Sequence, residues 1–216
     1  MKKIAVIDPF MVNPALSCFN RLVDHLPARL QYHHPQQNLS TLETYPADAY
    51  IVLGSASHVY HELPWHGPLG DFILKVLHEN RPVLGICFGH QLMCHRFGGT
   101  VEYYISEDVK LTGTRAVTLT QDVFGLKAGT ALTLPIKHKQ VVKSVPAELE
   151  EIGRGLPFDI VRHKTLPFLG TQPHPEASVE FCATESSTLT LSEVQKAQSD
   201  GLQLITAFFR HHDILA

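Results

Sequence analysis

No long hydrophobic run occurs in this sequence. The first apolar stretch ends at Asp8 and Pro9 and is too short for the core of a signal peptide. No other segment approaches the roughly 20 apolar residues that a membrane helix needs. The sequence therefore predicts a cytoplasmic protein that has no membrane partner.

Cysteine is scarce, with 4 residues in a chain of 216, and none of them forms a Cys-x-x-Cys pair. This scarcity argues against a disulfide framework and against a zinc ribbon. Histidine is abundant, with 14 residues, but its adjacent pairs point in different directions on a helix or strand. The chain also has no His-Glu-x-x-His segment. We therefore predict no metal site and no cofactor.

Neither sign of charge dominates the chain. The 18 Lys and Arg residues oppose 21 Asp and Glu residues, which gives a formal net charge of −3. This balance does not favour nucleic acid as a partner. Hydrophobic residues make up 44% of the chain and charged residues 18%, which excludes a disordered protein. A length of 216 residues predicts one domain, residues 1–216, with a substantial core.

Apolar segments alternate with helical patterns in the first hundred residues. Strands are predicted at 3–7, 49–53 and 82–86, and helices at 15–26, 69–78 and 88–97. The segment 31–46 is mostly polar and rich in turn residues. Because the strands are apolar throughout, they indicate a parallel sheet that is covered on both faces.

The pattern changes after Gly99. Short strands joined by turns are predicted at 101–105, 115–119, 131–134, 141–145, 160–162 and 168–172, and a helix at 191–212. We therefore predict an α/β fold, a flavodoxin-like three-layer sandwich. Its central, mostly parallel sheet has helices on both faces and an antiparallel extension.

Cys87 lies between Gly85 and Gly89, at the predicted junction of a strand with a helix. Small residues on both sides permit the sharp turn of a nucleophile elbow. Such a turn exposes the sulfur at the carboxyl edge of the sheet and at a helix N-terminus, where the helix dipole favours the thiolate. The alternative is a buried core cysteine, which is our interpretation of the other three cysteines. The glycine frame favours a nucleophile at Cys87.

A thiol nucleophile needs a base, and His174 is the candidate. It follows a predicted strand, and Pro175 keeps it out of helical geometry. In an extended segment His174 and Glu176 project to the same side, so the carboxylate can orient the imidazole. The alternative interpretation is a turn stiffened by proline.

These segments resemble those of the class I, triad-type glutamine amidotransferase domain. The resemblance rests on Gly85-Ile-Cys87-Phe-Gly89-His-Gln91 and on His174-Pro-Glu176, and it covers nearly the whole chain. The strand that ends at Gly54-Ser55 resembles the family's oxyanion loop, and residues 135–142 resemble its His-x-x-x-Val loop. Residues 64–69 resemble stand-alone members that are compared with the glutaminase domain of GMP synthase.

The resemblance implies a catalytic triad in which Cys87 is the nucleophile, His174 the general base and acid, and Glu176 the orienting group. It implies an oxyanion hole made by backbone N–H groups of Gly54 or Ser55 and of Phe88. It also implies a substrate-binding group near the presumed pocket, which consists of Gln91, His138, Lys139 and Gln140.

Two departures from the family pattern leave the substrate preference open. Pro173 precedes His174 where the family often has an aromatic residue, and it removes a backbone N–H. Ser55 stands where the family has the second glycine of a pair.

The implied reaction is attack by Cys87 on the side-chain amide of glutamine, which releases ammonia and glutamate through a γ-glutamyl thioester. A synthetase subunit that receives the ammonia is the implied partner. One alternative is a stand-alone hydrolase or peptidase that acts on a larger γ-glutamyl amide. A second, of a different class, is a non-catalytic regulatory or binding module with a relic site.

Overall fold

The computed structural model describes residues 1–185 and 189–216. Within these ranges the strands are β1 (Lys3–Ile7), β2 (Arg29–His33), β3 (Ala49–Val52), β4 (Val83–Ile86), β5 (Thr100–Tyr103), β6 (Leu111–Leu119), β7 (Ala131–His138), β8 (Gln140–Ser144), β9 (Leu149–Arg154), β10 (Ile160–His163) and β11 (Phe168–Thr171). The helices there are α1 (Leu16–His25), α2 (Thr41–Thr44), α3 (His66–His78), α4 (Phe88–Arg96), α5 (Val179–Glu185) and α6 (Leu191–His211), with a 3-10 helix at Val59–His61. None of these helices is long and apolar enough to cross a membrane.

Nine of the strands in the described ranges form one large sheet, in the order β2-β1-β3-β4-β11-β10-β9-β6-β7. Neighbours run parallel from β2 to β11. They run antiparallel from β11 to β7, and we call β10, β9, β6 and β7 the extension. Strands β5 and β8 pair separately. The parallel strands therefore end together at one edge of the sheet, the carboxyl edge, as the prediction of a parallel sheet requires.

Helices cover both faces of the parallel strands. On one face, Leu22 of α1 and Phe208 of α6 join a buried cluster with Ile51 of β3. On the other face, Ile73 of α3 joins a cluster with Val52, the next residue of the same strand. Successive residues of a strand point to opposite faces, so burial on both sides demands a continuous apolar sequence. The predicted three-layer α/β sandwich with an antiparallel extension is confirmed.

Some elements differ from the sequence prediction. The segment 31–46 contains the end of β2 and the short helix α2. Strand β2 lies at the sheet edge and is only half-buried, which explains its polar composition. Strand β9 and helix α5 were not predicted, because the charged residues of β9 hide its alternation and α5 has only seven residues.

Candidate active site

A sharp turn joins β4 to α4, and Cys87 occupies it. Its backbone has φ 50° and ψ −98°, a conformation that costs of order 1–3 kcal/mol in an L-residue. A Cβ on Gly85 would lie 2.8 Å from the carbonyl carbon of Gly89, and a Cβ on Gly89 would lie 2.5 Å from the carbonyl oxygen of Val52. The glycines on both sides of Cys87 are therefore a steric requirement of this elbow.

His174 lies just beyond β11, which is the sheet neighbour of β4. Its backbone N–H donates to the carbonyl of Pro135 in β7 at 2.7 Å. Its Nδ1 lies 2.9 Å from Oε1 of Glu176, and both side chains are buried. Within the described residues, the other ring nitrogen, Nε2, has no hydrogen-bond partner. The imidazole is thus held at Nδ1 and has Nε2 available for proton transfer.

The charge state of His174 follows from its neighbours. Burial lowers the pKa of His174, but the carboxylate of Glu176 and the side chain of Cys87 outweigh burial and raise it to about 10. The imidazolium is therefore favoured at neutral pH. A protonated imidazole beside a cysteine stabilises the thiolate, which is the nucleophilic form.

The nucleophile and the imidazole meet beside Gly54, at the end of β3. A Cβ on Gly54 would lie 2.9 Å from Cε1 of His174 and 3.5 Å from Cβ of Cys87. Any side chain at this position would displace the imidazole. The elbow, His174 and Gly54 are therefore packed into one small volume at the carboxyl edge.

The remaining candidates for the oxyanion hole flank this volume. Phe88 is the first residue of α4, so its N–H has no acceptor within the helix. The Ser55 hydroxyl donates to the carbonyl of Pro9 at 2.6 Å and accepts from the N–H of Ser57 at 3.0 Å. The serine side chain thus holds the loop in place. That the N–H groups of Gly54, Ser55 or Phe88 bind an oxyanion stays a prediction.

Three of the four predicted substrate-binding residues are linked by hydrogen bonds. Gln91 Nε2 and His138 Nδ1 each lie 3.0 Å from the carbonyl oxygen of Gln140. Burial, with the charges of Arg115 and His174, lowers the pKa of His138 to about 3, so its ring is neutral. The Lys139 side chain is exposed and outside this group. Contact of these residues with a substrate stays a prediction.

Strand β7 of the extension reaches the carboxyl edge; the sequence predicted residues 135–142 beside the substrate, but it did not predict the contact of Lys137 with Cys87. The carbonyl oxygen of Lys137 in β7 lies 3.9 Å from the sulfur of Cys87. The ammonium of Lys137 lies 5.2 Å from the ring centre of Phe181, and that ring lies 4.6 Å from the ring of His174. Phe181 lies on α5, and because that helix was not predicted, the sequence did not point to Phe181. These contacts enclose the site, in which Cys87 is only 5% exposed.

A second buried carboxyl group, Asp8, lies near Glu176 at the end of β1. Its Oδ2 accepts from the N–H of Ala15 and from the hydroxyl of Tyr32, each at 2.6 Å. Burial, reinforced by the charge of Glu176, raises the pKa of Asp8 above its ordinary value. In the sequence, the only signal of this contact is an aspartate directly after an apolar strand, and such an aspartate equally marks the end of the strand.

In residues 1–185 and 189–216 no group of three or more His, Cys, Asp or Glu side chains is placed to hold a metal ion. What the fold does present is a cysteine on a strained elbow at the carboxyl edge of an α/β sheet, beside a buried His–Glu pair. This arrangement is typical of α/β proteins that use a thiol nucleophile. The family model "Glutamine amidotransferase class-I" matches residues 19–185, and the chain belongs to this family.

Individual relatives agree with the family. The chain is 32% identical over 106 residues to a subunit of the glutamine-hydrolyzing GMP synthase of Methanopyrus kandleri, covering 48% of this chain and 56% of the relative. It is 27% identical over 143 residues to gamma-glutamyl peptidase 4 of Arabidopsis thaliana, covering 62% of this chain and 55% of the relative. The chain therefore spans just over half the length of each of these two curated relatives.

A solved structure shows the same fold over almost the entire chain. The crystal structure of a glutamine amidotransferase from Thermotoga maritima superimposes with a TM-score of 0.76 at 15% sequence identity. The superposition covers 98% of this chain and 98% of the other.

Proposed function

We propose that this chain, as one domain, hydrolyses the side-chain amide of glutamine, with Cys87 as nucleophile, His174 as general base and acid, and Glu176 as orienting group. The observation that carries the proposal is the strained Cys87 beside the buried His174–Glu176 pair. Membership of the family supports the same reaction.

The first half-reaction forms a thioester. The thiolate of Cys87 attacks the amide carbon, and N–H groups of Phe88 and of Gly54 or Ser55 donate to the resulting oxyanion. The C–N bond then breaks as His174 donates its Nε2 proton to the nitrogen, and ammonia leaves. A γ-glutamyl thioester remains on Cys87.

The second half-reaction restores the enzyme. His174, now neutral, takes a proton from a water molecule that attacks the thioester carbon. The C–S bond breaks, glutamate leaves, and Cys87 returns to the thiolate beside protonated His174. Throughout both steps Glu176 holds Nδ1, so the proton always moves at Nε2.

The fate of the ammonia defines the partner that we propose. The Methanopyrus kandleri relative is named as one subunit of a GMP synthase, so a separate synthetase subunit is the natural acceptor of the product. The alternative substrate is a larger γ-glutamyl amide, which the plant relative favours by its name. Both substrates require the same thioester and the same three side chains.

The test compares kcat/KM for glutamine and for a γ-glutamyl dipeptide in the wild type and in two variants. We expect Cys87→Ala to lose all but background hydrolysis, about 10⁴-fold or more, because it removes the nucleophile. Cys94→Ala is the matched control, since Cys94 is buried in the helix that follows Cys87 and in our mechanism has no chemical role. A higher kcat/KM for the dipeptide would contradict the glutaminase assignment and favour the alternative.

Labelling with a glutamine-mimicking electrophile, followed by peptide mapping, tests the site without turnover. We expect modification at Cys87, which lies beside His174, and none at Cys18, Cys94 or Cys182, because burial raises the pKa of each of these three thiols. If the protein neither hydrolyses these substrates nor reacts at Cys87, the non-catalytic module is the better description.

A further inference from the structure

Arg115 on β6 connects a buried aspartate to the predicted substrate-binding residues. Its Nη1 lies 2.7 Å from Oδ1 of Asp159, and its Nη2 lies 3.3 Å from Nε2 of His138. The opposite ring nitrogen, His138 Nδ1, lies 3.0 Å from the carbonyl oxygen of Gln140. Because a guanidinium only donates and a carbonyl only accepts, His138 carries its proton on Nδ1. Arg115 and Gln140 together therefore determine the tautomer of His138.

The carbonyl of Gln140 continues the network to α4. Gln91 Nε2 lies 3.0 Å from that carbonyl oxygen and 3.0 Å from Oε1 of Gln172. The backbone N–H of Gln172 donates to the carbonyl of Asp159 at 2.8 Å, so the network of hydrogen bonds returns to Asp159. We call these six residues the polar ring: Asp159, Arg115, His138, Gln140, Gln91 and Gln172.

The ion pair of Arg115 with Asp159 in the polar ring is largely buried. The side chain of Asp159 is 1% exposed and that of Arg115 is 13% exposed. Oδ2 of Asp159 also accepts from the N–H groups of Gly155 and Leu156, at 3.2 and 2.6 Å. The turn before β10 therefore fixes the carboxylate, and the carboxylate fixes the guanidinium.

We propose that Arg115 is a positioning residue for substrate binding: through His138 it sets the positions of the Gln140 carbonyl and the Gln91 amide. The inference rests on the proposed function and on the prediction that Gln91, His138 and Gln140 bind the substrate. Lysine cannot replace Arg115, since a single ammonium cannot match the planar fork that reaches Asp159 and His138 at once.

The test measures KM and kcat for glutamine in Arg115→Met and Arg115→Lys. We expect KM to rise about tenfold in both variants, as for the loss of one hydrogen bond to a charged group. We expect kcat to change less than about threefold, because the triad is untouched. A purely structural ion pair predicts instead that Arg115→Lys restores KM, and that result would overturn the inference.

Arg162→Met is the matched control. Arg162 pairs with Glu150 across β10 and β9 in the same extension, at 2.5 Å, but it is not part of the polar ring. We expect KM to stay at the wild-type value in this variant. If Arg162→Met raises KM as much as Arg115→Met does, general loosening of the extension explains the effect and the inference is wrong.

A titration by NMR tests the inference without turnover. Burial and the charge of Arg115 both lower the pKa of His138, so in Arg115→Met we expect that pKa to rise from about 3, while burial still holds it below its ordinary value. If Arg115→Met does not fold, the double variant Arg115→Met with Asp159→Asn leaves no lone buried charge. An unchanged His138 titration overturns the inference, whereas a wild type that hydrolyses no γ-glutamyl substrate overturns the proposed function instead.

Discussion

The parallel strands and the extension contribute to the site by different physical means. At the ends of β3 and β4 the backbone itself sets the geometry, since Gly54, Gly85 and Gly89 leave no space for a side chain. The extension adds side-chain hydrogen bonds to its backbone contacts, from Arg115 through His138 to the Gln140 carbonyl. A steric clash acts only between atoms in contact. A chain of hydrogen bonds, in contrast, lets one side chain fix the position of another group several residues away.

Substitutions in the two regions should therefore impair the protein in different ways. A change at the ends of the parallel strands moves the reacting atoms, and small displacements there lower the rate strongly. A side-chain change in the extension keeps the backbone carbonyls of Pro135 and Lys137 that contact His174 and Cys87, so we expect it to alter substrate binding or stability more than the rate. We therefore expect the effect on kcat to fall steadily from the triad to the far edge of the extension.

After Cys87→Ala, we expect Glu176→Gln to have the largest effect of the substitutions in the proposed triad. Glutamine keeps the shape of Glu176 but cannot stabilise an imidazolium, so we expect kcat to fall roughly 10²–10⁴-fold. Steady-state kinetics with glutamine would measure this. Glu180→Gln is the control, because Glu180 is an exposed carboxylate nearby in the chain. A fall of less than about threefold would contradict a role for Glu176 in orienting His174.

We expect the difference in stability between wild type and Glu176→Gln to depend on pH. The folded protein raises the pKa of His174 from 6.5 to about 10, so it binds this proton more tightly than the unfolded chain does. The resulting stabilisation is complete below about pH 6.5 and is lost as the pH rises through about 10. We expect the difference in unfolding free energy between wild type and Glu176→Gln to shrink over that range, as measured by chemical denaturation.

Gly54→Ala tests steric control directly. The added methyl group would lie 2.9 Å from Cε1 of His174, so the imidazole must move away from Cys87. We expect kcat/KM to fall about 10- to 100-fold, with an unfolding free energy lower by about 1–3 kcal/mol. Gly67→Ala is the control, because a Cβ there meets nothing within 4 Å. Equal activity in the two variants would contradict the steric account.

Asp200→Ala, at the far edge of the extension, should have the smallest catalytic effect. Asp200 on α6 accepts the N–H of Thr133 in the edge strand β7 at 2.7 Å. We expect the unfolding free energy to fall by about 1–2 kcal/mol and kcat/KM to change less than about twofold. Lys196→Met, which removes only the exposed ionic partner of Asp200, controls for charge. A large loss of activity would show that β7 positions His174 more tightly than we infer.

Much of the parallel half was predictable because its determinants are local. The strand at 3–7 coincides with β1, and the helix predicted at 88–97 is observed at Phe88–Arg96. The glycines around Cys87 could be recognised in the sequence because an elbow is made by residues that are adjacent in the chain. The ion pair of the polar ring could not be predicted, since Arg115 and Asp159 lie 44 residues apart. Nothing in their own neighbourhoods distinguishes them from other charged residues of short strands.

The sequence by itself determined the type of fold, the elbow at Cys87 and the pairing of His174 with Glu176, because each depends on periodicity or on residues within a few positions of one another. Only the tertiary structure decided that β7 crosses the carboxyl edge, so that the Pro135 carbonyl holds His174 and the Lys137 carbonyl lies near Cys87. That placement depends on how an antiparallel extension packs against distant strands, and such packing is a sum of long-range contacts that no local pattern records.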